Sequence, residues 1–228
     1  MRPSAELIVD PGLGRVDQPF TGIGMSTTSR VIKRAGDLVL AVLLLLLLLP
    51  IVAVVVFAIM IDSPGPPLFV HRRVGKHGRP FGVLKFRTMA HAQAWDPAAG
   101  SDTEAAIEWR RTRKLRSDPR VTRVGRLLRK YSLDEIPQLL NVVAGQMSLV
   151  GPRPVVVDEI ELFGDDVAKV LSARPGMTGL WAVNGRNLVS YRDRVRLESS
   201  YIDRRSLLLD LKILCKTIPC VLSGRGAC

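Results

Sequence analysis

One uncharged apolar run, from Leu38 to Ile61, constrains the fold of this chain more than any other feature. At about 1.5 Å of rise per residue, a helix over this run is long enough to cross a hydrocarbon core of about 30 Å. The run is too long, and begins too far into the chain, to be a secretory signal peptide. It therefore predicts a membrane helix.

Two features of this run bear on how such a helix meets the membrane. Pro50 lies near its middle, where a proline removes a backbone hydrogen bond and kinks a helix. Basic residues lie on both sides: Arg30, Lys33 and Arg34 precede the run, and Arg72, Arg73, Lys76 and Arg79 follow it. Because basic flanks favour the cytoplasmic side, two topologies stay open. One is a plain transmembrane span, and the other is a re-entrant helix broken at Pro50.

The charge of this 228-residue chain implies an anionic partner. Its formal net charge is +12 at pH 7, which indicates nucleic acid, anionic lipid or a phosphorylated substrate. Aromatic residues make up only 5% of the chain, so the stacking platforms of single-strand binders are poorly supplied. The three cysteines form no close pair, which is typical of reduced thiols rather than of a zinc site or disulfides.

Composition divides the chain into three parts. They are a flexible tail at residues 1–29, the membrane helix at 30–63 and a catalytic or binding domain at 64–228. The stretch Ser63–Pro67 cannot continue a helix and marks the start of the domain. Short strands are predicted at Leu68–Val70 and Phe81–Phe86, with helices over most of the domain after them. This predicts an α+β fold that is mostly helical with a small β element.

A late helix at about residues 207–218 has an amphipathic pattern. Its apolar face is formed by Leu207, Leu211, Leu214 and Ile218, and its polar residues are Asp210, Lys212 and Lys216. The pattern suits a helix that lies on a membrane surface. An ordinary core-facing helix fits the same residues, so both interpretations stay open.

The candidate chemistry lies between Leu128 and Pro154. The adjacent carboxylates Asp134 and Glu135 stand at the predicted start of a helix, where Ser132 and Glu135 match a capping box and Asp134 is the alternative cap. The positive helix end and nearby basic residues favour the ionised carboxylates. An ionised carboxylate can attack phosphorus, and its neighbour can hold a hard cation. These two residues alone are also compatible with a plain helix cap.

Several cations stand in settings that suit a phosphate. Arg153 lies between two prolines, and Lys85 and Arg87 follow a predicted strand. Arg174 and Arg186 lie in Arg-Pro-Gly and Asn-Gly-Arg segments, which are also compatible with simple turns.

Taken in order, six motifs make the chain resemble the bacterial sugar transferase family of monotopic polyprenol-phosphate phosphoglycosyl transferases. The resemblance runs from about Val31 to the C-terminus. The motifs are RAGDLVLAV, SPGPPLFVHRRVGKHGRPF, KFRTM, LRKYSLDEIPQLLNVVAGQMSLVGPRP, RPGMTGLWAVNGR and LDLKILCKT. Each is modest evidence by itself, and the six in order are highly specific.

The resemblance implies transfer of a sugar 1-phosphate from a UDP-sugar to undecaprenyl phosphate, with release of UMP, to initiate an exopolysaccharide or another surface glycan. It implies that Asp134 is the nucleophile that forms a covalent phosphosugar and that Glu135 is a Mg²⁺ ligand. Residues near the substrate phosphates would be Arg129, Arg153, Lys85, Arg174 and Arg186. Pro50 matches the proline that breaks the family's re-entrant helix. The catalytic domain would then lie on the cytoplasmic face of the bacterial inner membrane, against anionic lipid.

The chain also departs from the family pattern. Leu49 stands where many members have Ser, Gln146 replaces the usual Asp and leaves any metal role there in doubt, and His71 replaces a common Gln. The ending GRGA is similar to exopolysaccharide initiators, which favours glucose or galactose as the sugar. The resemblance implies no nucleic-acid partner and leaves a homodimer open. The rival hypothesis is a non-catalytic, single-pass membrane protein whose basic domain binds nucleic acid or anionic lipid.

Overall fold

The computed structural model describes residues 25–90, 118–224 and 226. The predicted flexible tail lies outside these residues up to position 24, and its last three residues belong to the first helix. That helix, α1, runs from Thr27 to Asp62 and begins where the Ser26 hydroxyl accepts the backbone N–H of Ser29. It is long and apolar enough to cross a membrane, and only a small part of its apolar stretch is buried against the rest of the chain. The core helix of a soluble protein would be mostly buried, so α1 is a membrane-associated helix.

Helix α1 continues through Pro50, and the re-entrant topology with a break at this residue stays a prediction. A proline removes one backbone hydrogen bond of a helix. On either side of the proline, Leu48 and Val52 pack against the domain core.

The C-terminal end of α1 is held by Arg87. Its guanidinium donates hydrogen bonds to the carbonyl oxygens of Ile59, Ser63 and Pro64 at 3.4, 2.6 and 2.8 Å. A cation is favourable at a helix C-terminus, where carbonyl groups lack helical partners. Arg87, which the sequence placed after a predicted strand, therefore caps the C-terminal end of α1.

The first half of α1 is held by Arg34 and by a buried polar cluster. The Arg34 guanidinium donates to the carbonyl oxygens of Val142 and Val143 at 2.7 and 3.1 Å. Lys33 Nζ lies 2.6 Å from Asp210 Oδ2, and Ser148 Oγ donates to Asp37 Oδ2 at 2.6 Å. Both halves of α1 are therefore attached to the same domain.

Two strands follow as an antiparallel hairpin. Strand β1 spans Leu68–Val74, strand β2 spans Pro80–Phe86, and Leu68 pairs with Phe86 at the open end. The intervening turn contains Gly78 in the left-handed region at φ 76°, which favours glycine. The two predicted strands are confirmed, and β1 is longer than expected.

The remaining elements are short apart from the last two helices. In chain order the remaining α-helices and strands are α2 (Arg123–Lys130), α3 (Gln138–Val143), β3 (Ser148–Val150), α4 (Val167–Val170), β4 (Gly176–Thr178), α5 (Leu180–Val183), α6 (Tyr191–Arg204) and α7 (Leu207–Ser223), and a 3₁₀ helix at Val157–Asp166 precedes α4. Strands β3 and β4 pair in parallel, with Ser148 opposite Gly176. The α+β prediction, mostly helical with small sheets, is confirmed for the residues described.

The core brings α1, the hairpin and the last two helices together. Its most enclosed side chains include Val83, Val142, Met147, Ile202 and Ile213. Helix α7 contributes Ile213 to this core, while Leu211 and Ile218 on its other side are 57% and 63% exposed. The predicted amphipathic helix is thus present, with most of its apolar face directed away from the core. Leu214 departs from that face and is partly buried.

Candidate active site

The two adjacent carboxylates lie in a one-turn 3₁₀ helix, Leu133–Glu135, that lines a cleft of about 1390 Å³. Both cap predictions are wrong. Helix α3 begins after Pro137, and Ser132, in the left-handed region at φ 54°, makes no side-chain capping bond. The Ser132 hydroxyl instead accepts a hydrogen bond from Arg186 Nη2 at 2.6 Å.

Lys85 of β2 joins the two carboxylates. Its Nζ lies 2.7 Å from Glu135 Oε1 and 3.5 Å from Asp134 Oδ2. Lys85 pairs with Phe69 across the hairpin, so the strand register fixes where the ammonium group enters the cleft. One cation thus serves a carboxylate pair that is largely shielded from water.

The two carboxylates have different proton affinities. Burial raises the pKa of Asp134 above its usual range, and the Lys85 ammonium offsets part of that shift. Burial opposes ionisation of Glu135 as well, but the short contact with Lys85 outweighs it and lowers the pKa of Glu135. The prediction that nearby cations favour ionised carboxylates therefore holds for the direction of the Glu135 pKa but not for that of the Asp134 pKa, because desolvation of Asp134 exceeds the influence of those cations.

Three of the predicted arginines line the same cleft. Arg129 Nε donates to the Thr88 hydroxyl at 2.9 Å, which orients its guanidinium. Arg186 Nη1 is buried and has no hydrogen-bond partner in the described parts of the chain. Arg153 stacks over the Trp181 ring at 4.8 Å.

The structure does not bring Arg174 to this cleft. Its Nε donates to the carbonyl oxygen of Gly145 at 2.9 Å, and the side chain is exposed. Gln146 does not line the cleft either, and its Oε1 accepts a hydrogen bond from the Asn141 amide. Its departure from the family pattern therefore leaves the Asp134–Glu135 pair untouched.

Sequence reasoning missed two cleft residues on β1. Arg73 Nη2 lies 3.3 Å from His71 Nδ1, and both residues line the cleft. Burial, followed by the charge of Arg73, lowers the pKa of His71 to about 4, so the imidazole is neutral at pH 7. Burial together with the charge of Arg153 lowers the pKa of Arg73 to about 10. The sequence signal that could have found them is the period of two along a strand, which places His71 and Arg73 on the same face as Phe69, another cleft residue.

The cleft also has an apolar side. Leu44 and Leu48 of α1 line it together with Leu214 and Val221 of α7. Both helices carry exposed apolar surface elsewhere. A single cleft is therefore shared by a cationic site and two helices suited to lipid.

A magnesium ion fits this site only together with an anionic ligand. Across the described ranges, no group of three or more His, Cys, Asp or Glu side chains could hold a metal. Mg²⁺ is commonly bound by one or two carboxylates plus substrate phosphates. Glu135, with Asp134 beside it, offers that donor set at the cost of its contact with Lys85.

A carboxylate pair among cations, in a cleft lined by a membrane helix, is typical of a membrane-associated site for a phosphorylated ligand. The bacterial sugar transferase family matches residues 28–224 of the chain. The chain belongs to that family.

Three relatives are similar over most of this chain. The exopolysaccharide production protein ExoY of Sinorhizobium fredii is 47% identical over 199 residues, covering 86% of this chain and 88% of that protein. The undecaprenyl-phosphate galactose phosphotransferase of Salmonella typhimurium is 45% identical over 202 residues, covering 88% and 42%. The UDP-glucose:undecaprenyl-phosphate glucose-1-phosphate transferase of Caulobacter vibrioides is 42% identical over 203 residues, covering 86% and 71%. The chain thus spans less than half of the Salmonella protein.

Proposed function

We propose that this protein is a phosphoglycosyl transferase that moves a sugar 1-phosphate from a UDP-sugar to undecaprenyl phosphate and releases UMP. The observation that carries the proposal is the Asp134–Glu135 pair, held by Lys85 in a cleft that α1 also lines. The names of the Salmonella and Caulobacter relatives support the reaction and the two sugars, galactose and glucose. The ExoY relative supports a role in initiating exopolysaccharide synthesis.

In the first step, an oxygen of ionised Asp134 attacks the β-phosphorus of the UDP-sugar. The bond from that phosphorus to the bridging oxygen breaks, and UMP leaves with the electron pair. Asp134 then carries the sugar phosphate as an acyl phosphate. Burial removes water from this nucleophile, while Lys85 and Arg129 favour its charged form.

In the second step, a phosphate oxygen of undecaprenyl phosphate attacks the same phosphorus and regenerates the Asp134 carboxylate. The guanidinium groups of Arg153, Arg129 and Arg186 line the cleft where charge accumulates on the phosphoryl oxygens. When bound at Glu135, Mg²⁺ would supply further charge neutralisation at the diphosphate.

The proposal includes a re-entrant α1, with both of its ends and the domain on the cytoplasmic side of the inner membrane. The support is that Arg34 and Arg87 attach the two halves of α1 to one domain. A helix that crossed the bilayer would separate one end from that domain. Introduced cysteines at Thr27 and Gly65 should be labelled from the same side in inverted membrane vesicles, and labelling from opposite sides would refute this topology.

A covalent-trapping experiment tests the chemistry. The purified protein is incubated with Mg²⁺ and a panel of UDP-sugars without the lipid, and its mass is measured. We expect the mass to rise by one sugar phosphate, with one equivalent of UMP released. Asp134→Asn should abolish both signals, whereas the exposed control Asp203→Asn should retain them. Folded protein that forms no adduct with any of the sugars, and releases no UMP when undecaprenyl phosphate is added, would favour the non-catalytic rival.

A further inference from the structure

The segment Gly151–Pro154 has few backbone donors with which to fix its shape. Pro152 and Pro154 have no N–H group. The Gly151 N–H donates to the Thr178 carbonyl oxygen at 2.9 Å. The Arg153 N–H is therefore the remaining backbone donor, and it donates to Glu198 Oε1 at 3.0 Å.

Glu198 is an unusual partner for that amide, because it is only 1% exposed. It comes from α6, far along the chain, and its second oxygen has no hydrogen-bond partner among the described residues. Burying a carboxyl group costs free energy unless the group is hydrogen-bonded or paired with an opposite charge. The contact it makes is with the backbone of Arg153, an arginine of the cleft.

The other end of Arg153 is fixed by an aromatic ring. Its guanidinium lies 4.8 Å from the centre of the Trp181 ring. Arg194, one helical turn from Glu198 on α6, lies 5.9 Å from the same ring. Helix α6 therefore supports the amide of Arg153 directly and Trp181 through Arg194.

The guanidinium of Arg153 keeps its donors for a ligand. Within the described ranges it has no carboxylate partner in the cleft, whereas Lys85 is already shared by two carboxylates. A rigid, stacked guanidinium presents a planar fork that matches phosphate oxygens. Its pose depends on the two fixed points, the Glu198 oxygen and the Trp181 ring.

We propose that Glu198 is a positioning residue that holds Arg153 against Trp181, so that the guanidinium meets the diphosphate of the nucleotide sugar. The inference rests on the proposed function for the identity of the anion. Glu198 touches no substrate and acts through the Arg153 backbone. Helix α6 thereby contributes to donor binding from outside the cleft.

Substitutions at Glu198 separate the hydrogen bond from the charge. Burial raises the pKa of Glu198 to about 7, against the lowering effects of the Arg153 amide and the charges of Arg194 and Arg153. Glutamine keeps the accepting oxygen without the charge, so Glu198→Gln should preserve the pose. Glu198→Met keeps the volume but removes the acceptor, and Glu198→Ala is the fallback if the methionine variant does not fold. Glu161→Met is the control for an exposed glutamate.

Kinetics with the UDP-sugar, Mg²⁺ and undecaprenyl phosphate form the first arm of the test. Glu198→Met should raise the KM for the UDP-sugar about tenfold, the range expected when a buried donor loses its partner. The kcat should stay within about threefold, and the Gln variant and the control should match the parent protein. In an Arg153→Ala background, Glu198→Met should add no further loss. Additive losses, or an unchanged KM for Glu198→Met, would overturn the inference.

A second arm does not depend on turnover. Trp95 and Trp109 are replaced by Phe, so that fluorescence reports on Trp181 alone. Glu198→Met should change acrylamide quenching of Trp181, and Glu198→Gln should not. Unchanged quenching in the methionine variant would overturn the positioning role even if no UDP-sugar were turned over. If no UMP were released but the quenching of Trp181 changed in the methionine variant, the proposed reaction would be rejected and the positioning role of Glu198 would stand.

Discussion

Replacing Lys85 with methionine should disable the carboxylate pair. At an effective dielectric constant of about 20, the attractions over 3.5 Å to Asp134 and 2.7 Å to Glu135 are about 5 and about 6 kcal/mol. Methionine removes both attractions, and the two adjacent carboxylates then repel each other. The pKa of Asp134, already raised by burial, rises further because its strongest opposing influence is lost.

The expected kinetic result follows from this rise in the pKa of Asp134. A smaller fraction of Asp134 is ionised at pH 7, so kcat/KM for the UDP-sugar should fall by about 100-fold to 1000-fold. The acidic limb of the pH–rate profile should move to higher pH, with partial recovery in alkaline buffer. Lys85→Arg, which keeps the charge, should lose less. The assay is UMP release measured across pH, with circular dichroism to check folding.

The control is a lysine with the same short contact in an exposed setting. Lys169 Nζ lies 2.7 Å from Asp203 Oδ2, and that carboxylate is half exposed. A surface pair of this kind contributes about 0–1 kcal/mol, so Lys169→Met should leave the pH profile in place. If Lys85→Met kept the parental acidic limb and a rate within about threefold, Lys85 would not be what keeps Asp134 charged.

Three further predictions concern stability, each measured by denaturant unfolding in detergent. The raised pKa of Glu198, about 7 against 4.5 unfolded, means that the folded state binds more protons between these values, so stability falls as pH rises through this window. Glu198→Gln should therefore match the parent near pH 4 and exceed it by about 3 kcal/mol at pH 8. A Cβ added at Gly125 would lie far inside van der Waals contact with the Thr88 carbonyl, so Gly125→Ala should cost about 1–3 kcal/mol, whereas Gly36→Ala, with open space around it, should not destabilise. Arg87→Met should cost about 3 kcal/mol by removing the hydrogen bonds to the Ser63 and Pro64 carbonyl oxygens just after α1, and equal stability would refute that role.

Local patterns were enough to predict several elements. The hairpin follows from two apolar runs around glycines, and α1 follows from an uncharged stretch of membrane length. The Asp134–Glu135 pair was visible as adjacent acids among basic residues. These features depend on neighbours in the chain, which is why sequence reasoning reached them.

Long-range partners were not readable in the same way. The pattern around Ser132 fits a capping box, but Pro137 shifts the start of α3 and Arg186, more than fifty positions away, takes the serine hydroxyl. Lys85 meets its carboxylates through a strand register, and Glu198 reaches Arg153 from a different helix. Each contact depends on how separate elements pack, and no period in the sequence encodes that packing.

The attachment of α1 has a consequence for the site itself. Arg34 caps the carbonyl end of α3, and the Asp134–Glu135 turn leads into the other end of that short helix. Leu44 and Leu48 on the same α1 form part of the cleft wall. A displacement of α1 would therefore move both the wall of the cleft and the helix behind its carboxylates. The membrane helix is then a structural part of the site, and the proposed mechanism requires this site to admit both a lipid phosphate and a soluble nucleotide sugar.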